Sequence, residues 1–235
     1  DIIFDVCGKR VDSSNLQDSI TSFKVFSGER LDYINWLISG LAIKPNEIDL
    51  DNTWYVGSEE AASEDALDAE DLEICKKLFE TGDPITFNVP IPITHKSGKK
   101  IESSVTVFLS YKPDADSTHE LYSRDSLNIE EERWLKYAPG KFFGAVIALD
   151  DEIVDFLGCA EEASHLKWNP QLADLRDKYT EPNTTLSMVR RSLPALARLL
   201  LEQESRIYDD IFNDLMTVPS AETANKKKKT KKRSK

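Results

Sequence analysis

Three neighbouring stretches decide the reading of this chain: Leu121–Ile129 (LYSRDSLNI), Gly140–Trp168 (GKFFGAVIALDDEIVDFLGCAEEASHLKW) and Leu186–Leu200 (LSMVRRSLPALARLL). The first places an arginine in strand-like text. In the second, GKFFGAVIALD is apolar on both alternating faces, which predicts a strand in the middle of a sheet. Asp150 and Asp151 cap a short helix that runs through Leu157 and ends at Gly158. Glu161 to Trp168 reads as another short helix, and Pro170 and Pro182 bracket a third around Leu172 and Leu175. Thr184 or Thr185 caps the last helix, with Leu186, Val189, Leu193, Leu196 and Leu200 on one stripe. That pattern runs on through Ile207, Ile211 and Leu215. Pro194 inside it predicts a kink or a restart.

Upstream, ITFNVPIPIT alternates strictly, with Ile85, Phe87, Val89, Ile91 and Ile93 on one face. Pro90 and Pro92 fall on the other face and predict an edge strand or a bend. The turn HKSGKK leads into IESSVTVFLSYK, which alternates on Val105, Val107, Leu109 and Tyr111, so the two form a hairpin. Ser63 to Glu80 reads as a helix with Leu67, Leu72, Cys75, Leu78 and Phe79 inward. The acids crowding its first turns suit the helix dipole and need no metal. Residues 46–62 read as a loop or short strand. A further helix carries Leu31, Ile34, Leu37, Ile38 and Leu41 on its packing face, with Tyr33 and Trp36 adding bulk. Another covers Ser14–Phe26. Residues 1–12 read as a strand plus turn ending a preceding domain. The resulting class is α+β: a mixed or antiparallel sheet of about four strands packed by helices, with helical N-terminal and C-terminal segments. The boundaries are a helical segment 1–82, an α+β domain 83–218 and a disordered basic tail 219–235.

The chain has 235 residues, 40% hydrophobic and 31% charged, with no apolar run near the roughly 20 residues of a membrane span. Its net charge of −12 is unevenly placed. Residues 226–235 hold eight of the 30 Lys and Arg and none of the 42 Asp and Glu, so residues 1–225 carry −20. A body so acidic is a poor nucleic-acid binder. Lys226, Lys227, Lys228, Lys229, Lys231, Lys232 and Arg233 are the candidates for contact with nucleic acid or an acidic partner, or they form a solubilising tail. Cys7, Cys75 and Cys159 are far apart and form no CxxC pair, which predicts a reducing, cytoplasmic location. The sequence opens on Asp1 in strand-like text, as a C-terminal piece of a longer chain would.

No phosphate-binding glycine loop, dinucleotide fingerprint, nucleophile elbow or HExxH metal helix is present. Three features carry candidate chemistry. Arg124 in YSRDS has a guanidinium that suits a phosphate approached from outside the sheet; its alternative is a surface ion pair with Asp125 or Glu120. Lys141, at the mouth of the buried strand, contacts a phosphate or simply ends the strand in solvent. His165 and Trp168, at i and i+3, form a packed helical corner.

The block 121–201 resembles the region that follows the ATP-binding domain in bacterial histidine-kinase-like ATPases related to the MORC proteins. The shared order is an aromatic-x-Arg strand (Tyr122–Ser123–Arg124), a glycine-led apolar strand with acids after it (Gly144 to Asp151), a G-x-A-E-x-x-x-H-x-x-W segment (Gly158 to Trp168) and a closing helix with Ser-x-x-x-Leu-x-x-Leu-Leu (Ser192 to Leu200). Ala163–Ser164 stands where the family has a small residue and proline. The resemblance implies the transducer half of a gyrase/MutL/histidine-kinase-type (GHKL) ATPase. ATP and Mg2+ would then be held by an ATP-binding half in cis or in trans. Arg124 or Lys141 would reach the γ-phosphate, and closure of a homodimer would pass to a partner effector protein. It also suggests a role in anti-phage defence. The rival expectation is a non-enzymatic interaction module whose tail contacts nucleic acid.

Overall fold

A computed structural model describes residues 4–6, 9–12, 14–15, 18–19, 28–55, 57 and 62–216. Its strands are β1 (Phe4–Val6), β2 (Lys9–Val11), β3 (Glu47–Asp49), β4 (Ile85–Thr94), β5 (Lys100–Tyr111), β6 (His119–Arg124), β7 (Leu127–Asn128) and β8 (Phe142–Ala148). Its helices are α1 (Glu29–Ile43), α2 (Ala69–Thr81), α3 (Asp151–Ala160), α4 (Ala173–Lys178) and α5 (Pro182–Met216). β1 and β2 form a small antiparallel hairpin, where the sequence suggested one strand and a turn. The helix expected over Ser14–Phe26 and the tail 219–235 lie outside the described residues, apart from isolated positions in the former.

The main sheet is mixed, with order β3-β4-β5-β8-β6-β7. It has six strands where the sequence indicated about four. One addition is β3, parallel to β4 within the stretch read as a loop or short strand. The other arises because LYSRDSLNI is not one strand. Asp125 adopts φ 52, which turns the chain so that β7 folds back antiparallel on β6.

Alternation fixes the register. Ile85, Phe87, Val89, Ile91 and Ile93 are all buried, and they pair across β5 with Leu109, Val107, Val105, Ser103 and Ile101. Pro90 and Pro92 sit on the opposite face. β3 covers β4 only as far as Asn88, so both prolines fall beyond that partner, where a missing N–H costs no ladder bond. All seven residues of β8 are buried, between antiparallel β5 and parallel β6, as its two-sided apolarity predicts.

Helices α2, α3 and α5 cover one face of the sheet. Asp68 caps α2 through the Asp71 N–H at 2.8 Å, five residues after the Ser63 start expected from the sequence. Gly82 ends it at φ 71, and a Cβ there would meet the Tyr111 carbonyl at 2.8 Å. α5 is continuous across Pro194 for 35 residues. Its Val189, Leu193, Leu196 and Leu200 are buried, so the expected stripe forms the core seam.

α1 lies on the other face, and here the sequence reading needs correction. The aliphatic stripe does not choose the buried side: Ile38 is 38% exposed and Leu41 46%. The aromatic residues choose it instead. Tyr33 is buried and its hydroxyl donates to the Gly144 carbonyl at 2.8 Å. Trp36 Nε1 donates to Ser110 Oγ at 2.8 Å, and Gly40 sits over the Phe108 ring. A Tyr or Trp that can bury its ring and still bond its polar end wins over a bare aliphatic side chain.

Candidate functional site

The strand β6 runs parallel to β8 and ends at Arg124, level with Ala148. α3 begins three residues after β8 ends, capped by Asp150, whose Oδ1 accepts the Glu152 N–H and the Ser103 hydroxyl. The far end of α3 therefore returns over the tip of β6. There Arg124 Nε donates to Glu161 Oε2 at 2.6 Å. The guanidinium lies beside Gly158. His165 Nδ1 meets the other oxygen of the same carboxylate. The Glu161 side chain is 3% exposed, Arg124 22% and His165 60%. Burial alone raises the Glu161 carboxyl, but the hydrogen bonds from Arg124 and His165, together with the Arg124 charge, outweigh it and hold it below the usual value. Arg124 thus pairs with neither Asp125 nor Glu120.

The segment carrying Glu161 and His165 is not the expected helix. Glu161 and Trp168 form an antiparallel bridge, the Asn169 N–H donates to the Ala160 carbonyl, and His165 sits at φ 57 in the turn between them. The hairpin-like path sends the two motif residues in opposite directions. Trp168 is buried, while His165 faces outward onto Glu161. The packed His–Trp corner is therefore replaced by a bracket, because the helical i, i+3 relation on which it depended does not exist.

Behind the bracket lies a buried ion pair. Glu132, 2% exposed, accepts Arg190 Nε at 2.8 Å and Arg190 Nη2 at 2.5 Å. The same carboxylate accepts the Trp168 N–H at 3.0 Å and Trp134 Nε1 at 2.5 Å. Arg190 also donates to the Trp168 carbonyl at 2.5 Å and stands over the Trp134 ring at 5.2 Å. Hydrogen bonds therefore join Arg124 to Glu161 and Trp168 to Arg190 on α5, and the backbone bridge that pairs Glu161 with Trp168 links the two. Glu161 was visible in the sequence only as a letter of a motif. Glu132 and Arg190 gave no local signal, since they meet across 58 residues of sequence.

Lys141 stands at the opposite end of β8 from Arg124, about 20 Å away at strand rise, and its Nζ donates to the Ala115 carbonyl. One phosphate cannot bridge the two. A third polar cluster joins Glu29, Ser117 and His119. Glu29 Oε1 and Ser117 Oγ both meet His119 Nε2, at 2.7 and 3.2 Å. A nucleophilic triad needs acid and hydroxyl on opposite ring nitrogens, so this cluster is no relay. Burial pushes the Cys75 thiol up to about 12, leaving it inert. Among the described residues no group of three or more His, Cys, Asp or Glu is placed to hold a metal ion, and no helix is long and apolar enough to cross a membrane. The tail residues Lys226–Lys229, Lys231, Lys232 and Arg233 lie outside the described residues. Comparison with protein-family models, curated proteins and solved structures finds no match to this chain.

Proposed function

We propose that this chain is the transducer part of a GHKL-type ATPase, acting with an ATP-binding half in cis or in trans that holds ATP and Mg2+. The observation that carries the reading is the meeting of three separated motif residues at one carboxylate: Glu161 takes Arg124 from β6 and His165 from the bracket. Holding an arginine by Nε directs its paired terminal amino groups away from the holding carboxylate, the geometry in which a guanidinium meets a phosphate. Arg124 then faces the γ-phosphate, and the backbone bridge between Glu161 and Trp168 connects its position to Arg190 on α5. The proposed setting is cytoplasmic, the working unit a homodimer, and the output a partner effector protein, with anti-phage defence as the context the resemblance suggests.

The test is ATP turnover by the chain joined to, or mixed with, its ATP-binding half. Arg124→Ala should lower kcat at least about 1,000-fold, the lower end of the range for arginines that stabilise phosphoryl transfer, and Arg124→Lys should recover part of it. Tight ATP binding by this chain alone would contradict a split site.

A second reading has its own support. Leu37, Leu41, Leu121, Ile147 and Leu149 line a groove of about 350 Å³ between α1 and the sheet, with Ile38 and Ile43 exposed on the same helix. Such a surface suits an interaction module, with the basic tail contacting nucleic acid. Deleting 226–235 should then weaken nucleic-acid binding with a steep salt dependence. Unchanged binding would remove the tail from that reading.

A further inference from the structure

We infer that His165 is a second ligand for the phosphoryl group that meets Arg124, so that Arg124 and His165 form one two-donor site organised by Glu161; the assignment of that group to ATP rests on the proposed ATPase reading. The Glu161 side chain is 3% exposed and uses both its oxygens, Oε2 on Arg124 Nε and Oε1 on His165 Nδ1. What Glu161 leaves unengaged is the terminal amino pair of a guanidinium that is 22% exposed beside Gly158, and Nε2 of an imidazole that is 60% exposed. Both side chains are therefore oriented from behind, as an imidazole is when a carboxylate fixes one of its nitrogens. His165 also holds a left-handed backbone, φ 57, that non-glycine residues adopt rarely and that clusters at functional positions.

A terminal phosphoryl group offers three oxygens, two for the guanidinium fork and one for the imidazole. A phosphodiester offers two, both flanked by esters, so the site favours a chain-end phosphate over a nucleic-acid backbone. Protonation follows from the tautomer. With Nδ1–H donating to Glu161, neutral His165 carries a lone pair at Nε2 and cannot donate to an anion; the imidazolium can. Binding therefore takes up a proton at Nε2 and tightens as pH falls. The charged groups around the ring are Glu161 and Arg124, then Glu162 and Lys167 on its own loop, paired at 3.6 Å. Glu131 completes the set, its N–H donating to the Leu166 carbonyl from the facing loop.

The experiment is a titration of the full chain with inorganic pyrophosphate. It is followed at the His165 ring nitrogens by long-range 1H–15N correlation, at a mildly acidic and a mildly basic pH. A short oligonucleotide without terminal phosphates is the second arm. Pyrophosphate should convert Nε2 from lone pair to N–H and bind more tightly at the lower pH. His165→Asn, which tolerates the left-handed backbone, should weaken binding about fivefold or more and abolish the proton uptake. Arg124→Ala should abolish binding. An unmoved Nε2 signal at saturating pyrophosphate, an unaltered affinity in His165→Asn, or equal binding of the oligonucleotide would overturn the inference. The two readings fail separately. If pyrophosphate moves His165 while Arg124→Ala leaves ATP turnover intact, the ATPase reading falls and the phosphoryl site stands. If turnover depends on Arg124 and His165 stays silent, the two-donor site alone falls.

Discussion

The Tyr122 hydroxyl donates to the main-chain carbonyl of Arg190 at 3.0 Å, and that carbonyl is the one Pro194, four residues on, leaves without a helical N–H. The sheet supplies the hydrogen bond the helix lacks. Burial pushes the Tyr122 hydroxyl well above the usual tyrosine value, so it remains a donor. Tyr122→Phe strands a buried carbonyl and should cost about 1–3 kcal/mol in urea unfolding. In a Pro194→Ala background residue 194 donates instead, and the same substitution should cost about 1 kcal/mol less. Equal costs in both backgrounds would disprove the compensation.

The Glu132–Arg190 pair should behave as a buried unit. Glu132→Leu or Arg190→Leu alone leaves an uncompensated charge and should cost about 3–5 kcal/mol, while the double substitution should cost much less than the sum. Additive costs in a double-mutant cycle would show that the two side chains do not interact.

Acid titration should separate two carboxylates of opposite sign. Burial raises Glu29, but the N–H groups of Asp116 and Ser117 and the His119 ring outweigh it and bring the group from 4.5 down to about 2. Its folded value lies below its unfolded one, so the linked stability is present above pH 4.5 and is lost as pH falls towards 2. Glu29→Gln should flatten the Tm–pH curve over that window. Glu120 is the reverse. Burial raises it despite N–H bonds from Leu135 and Trp134, so its linked stability is lost as pH rises through the raised value. Glu120→Gln keeps an acceptor for both N–H groups and should raise Tm at neutral pH. A fall in Tm there would contradict this sign.

Two glycines should respond oppositely to alanine. Gly82 combines φ 71 with a 2.8 Å approach to the Tyr111 carbonyl, and Gly82→Ala should cost upwards of about 1 kcal/mol. At Gly158, inside α3, a Cβ meets Arg124 only at ordinary contact, 3.8 Å, and Gly158→Ala should stabilise by about 0.5–1 kcal/mol. Thermal unfolding of both variants checks the pair, and the same sign of change in both would refute the assignment.

The sequence revealed what depended on local periodicity. Strict alternation located β4 and β5, two-sided apolarity located β8, and the leucine stripe located α5. It misled where a short-range choice was made by distant groups. The face of α1 was set by the Gly144 carbonyl and Ser110 hydroxyl, more than sixty residues downstream, which reward Tyr33 and Trp36 over Ile38 and Leu41. Glu161–Trp168 has helical spacing, yet its ends pair as a bridge held by bonds between their neighbours, and Glu132 and Arg190 lock that bridge from outside the segment. For the candidate site, Arg124 was visible as a charge in strand text, but its partner was not. Glu161 lies thirty-seven residues away in sequence and gains its role only when α3 folds back over β6.

The most direct measurement is steady-state ATP turnover by the chain together with its ATP-binding half, for the wild type, Arg124→Ala and Arg124→Lys. The account predicts no turnover by the chain alone, turnover when the halves are joined, a loss of at least about 1,000-fold in Arg124→Ala, and partial recovery in Arg124→Lys. Undiminished turnover in Arg124→Ala would contradict it.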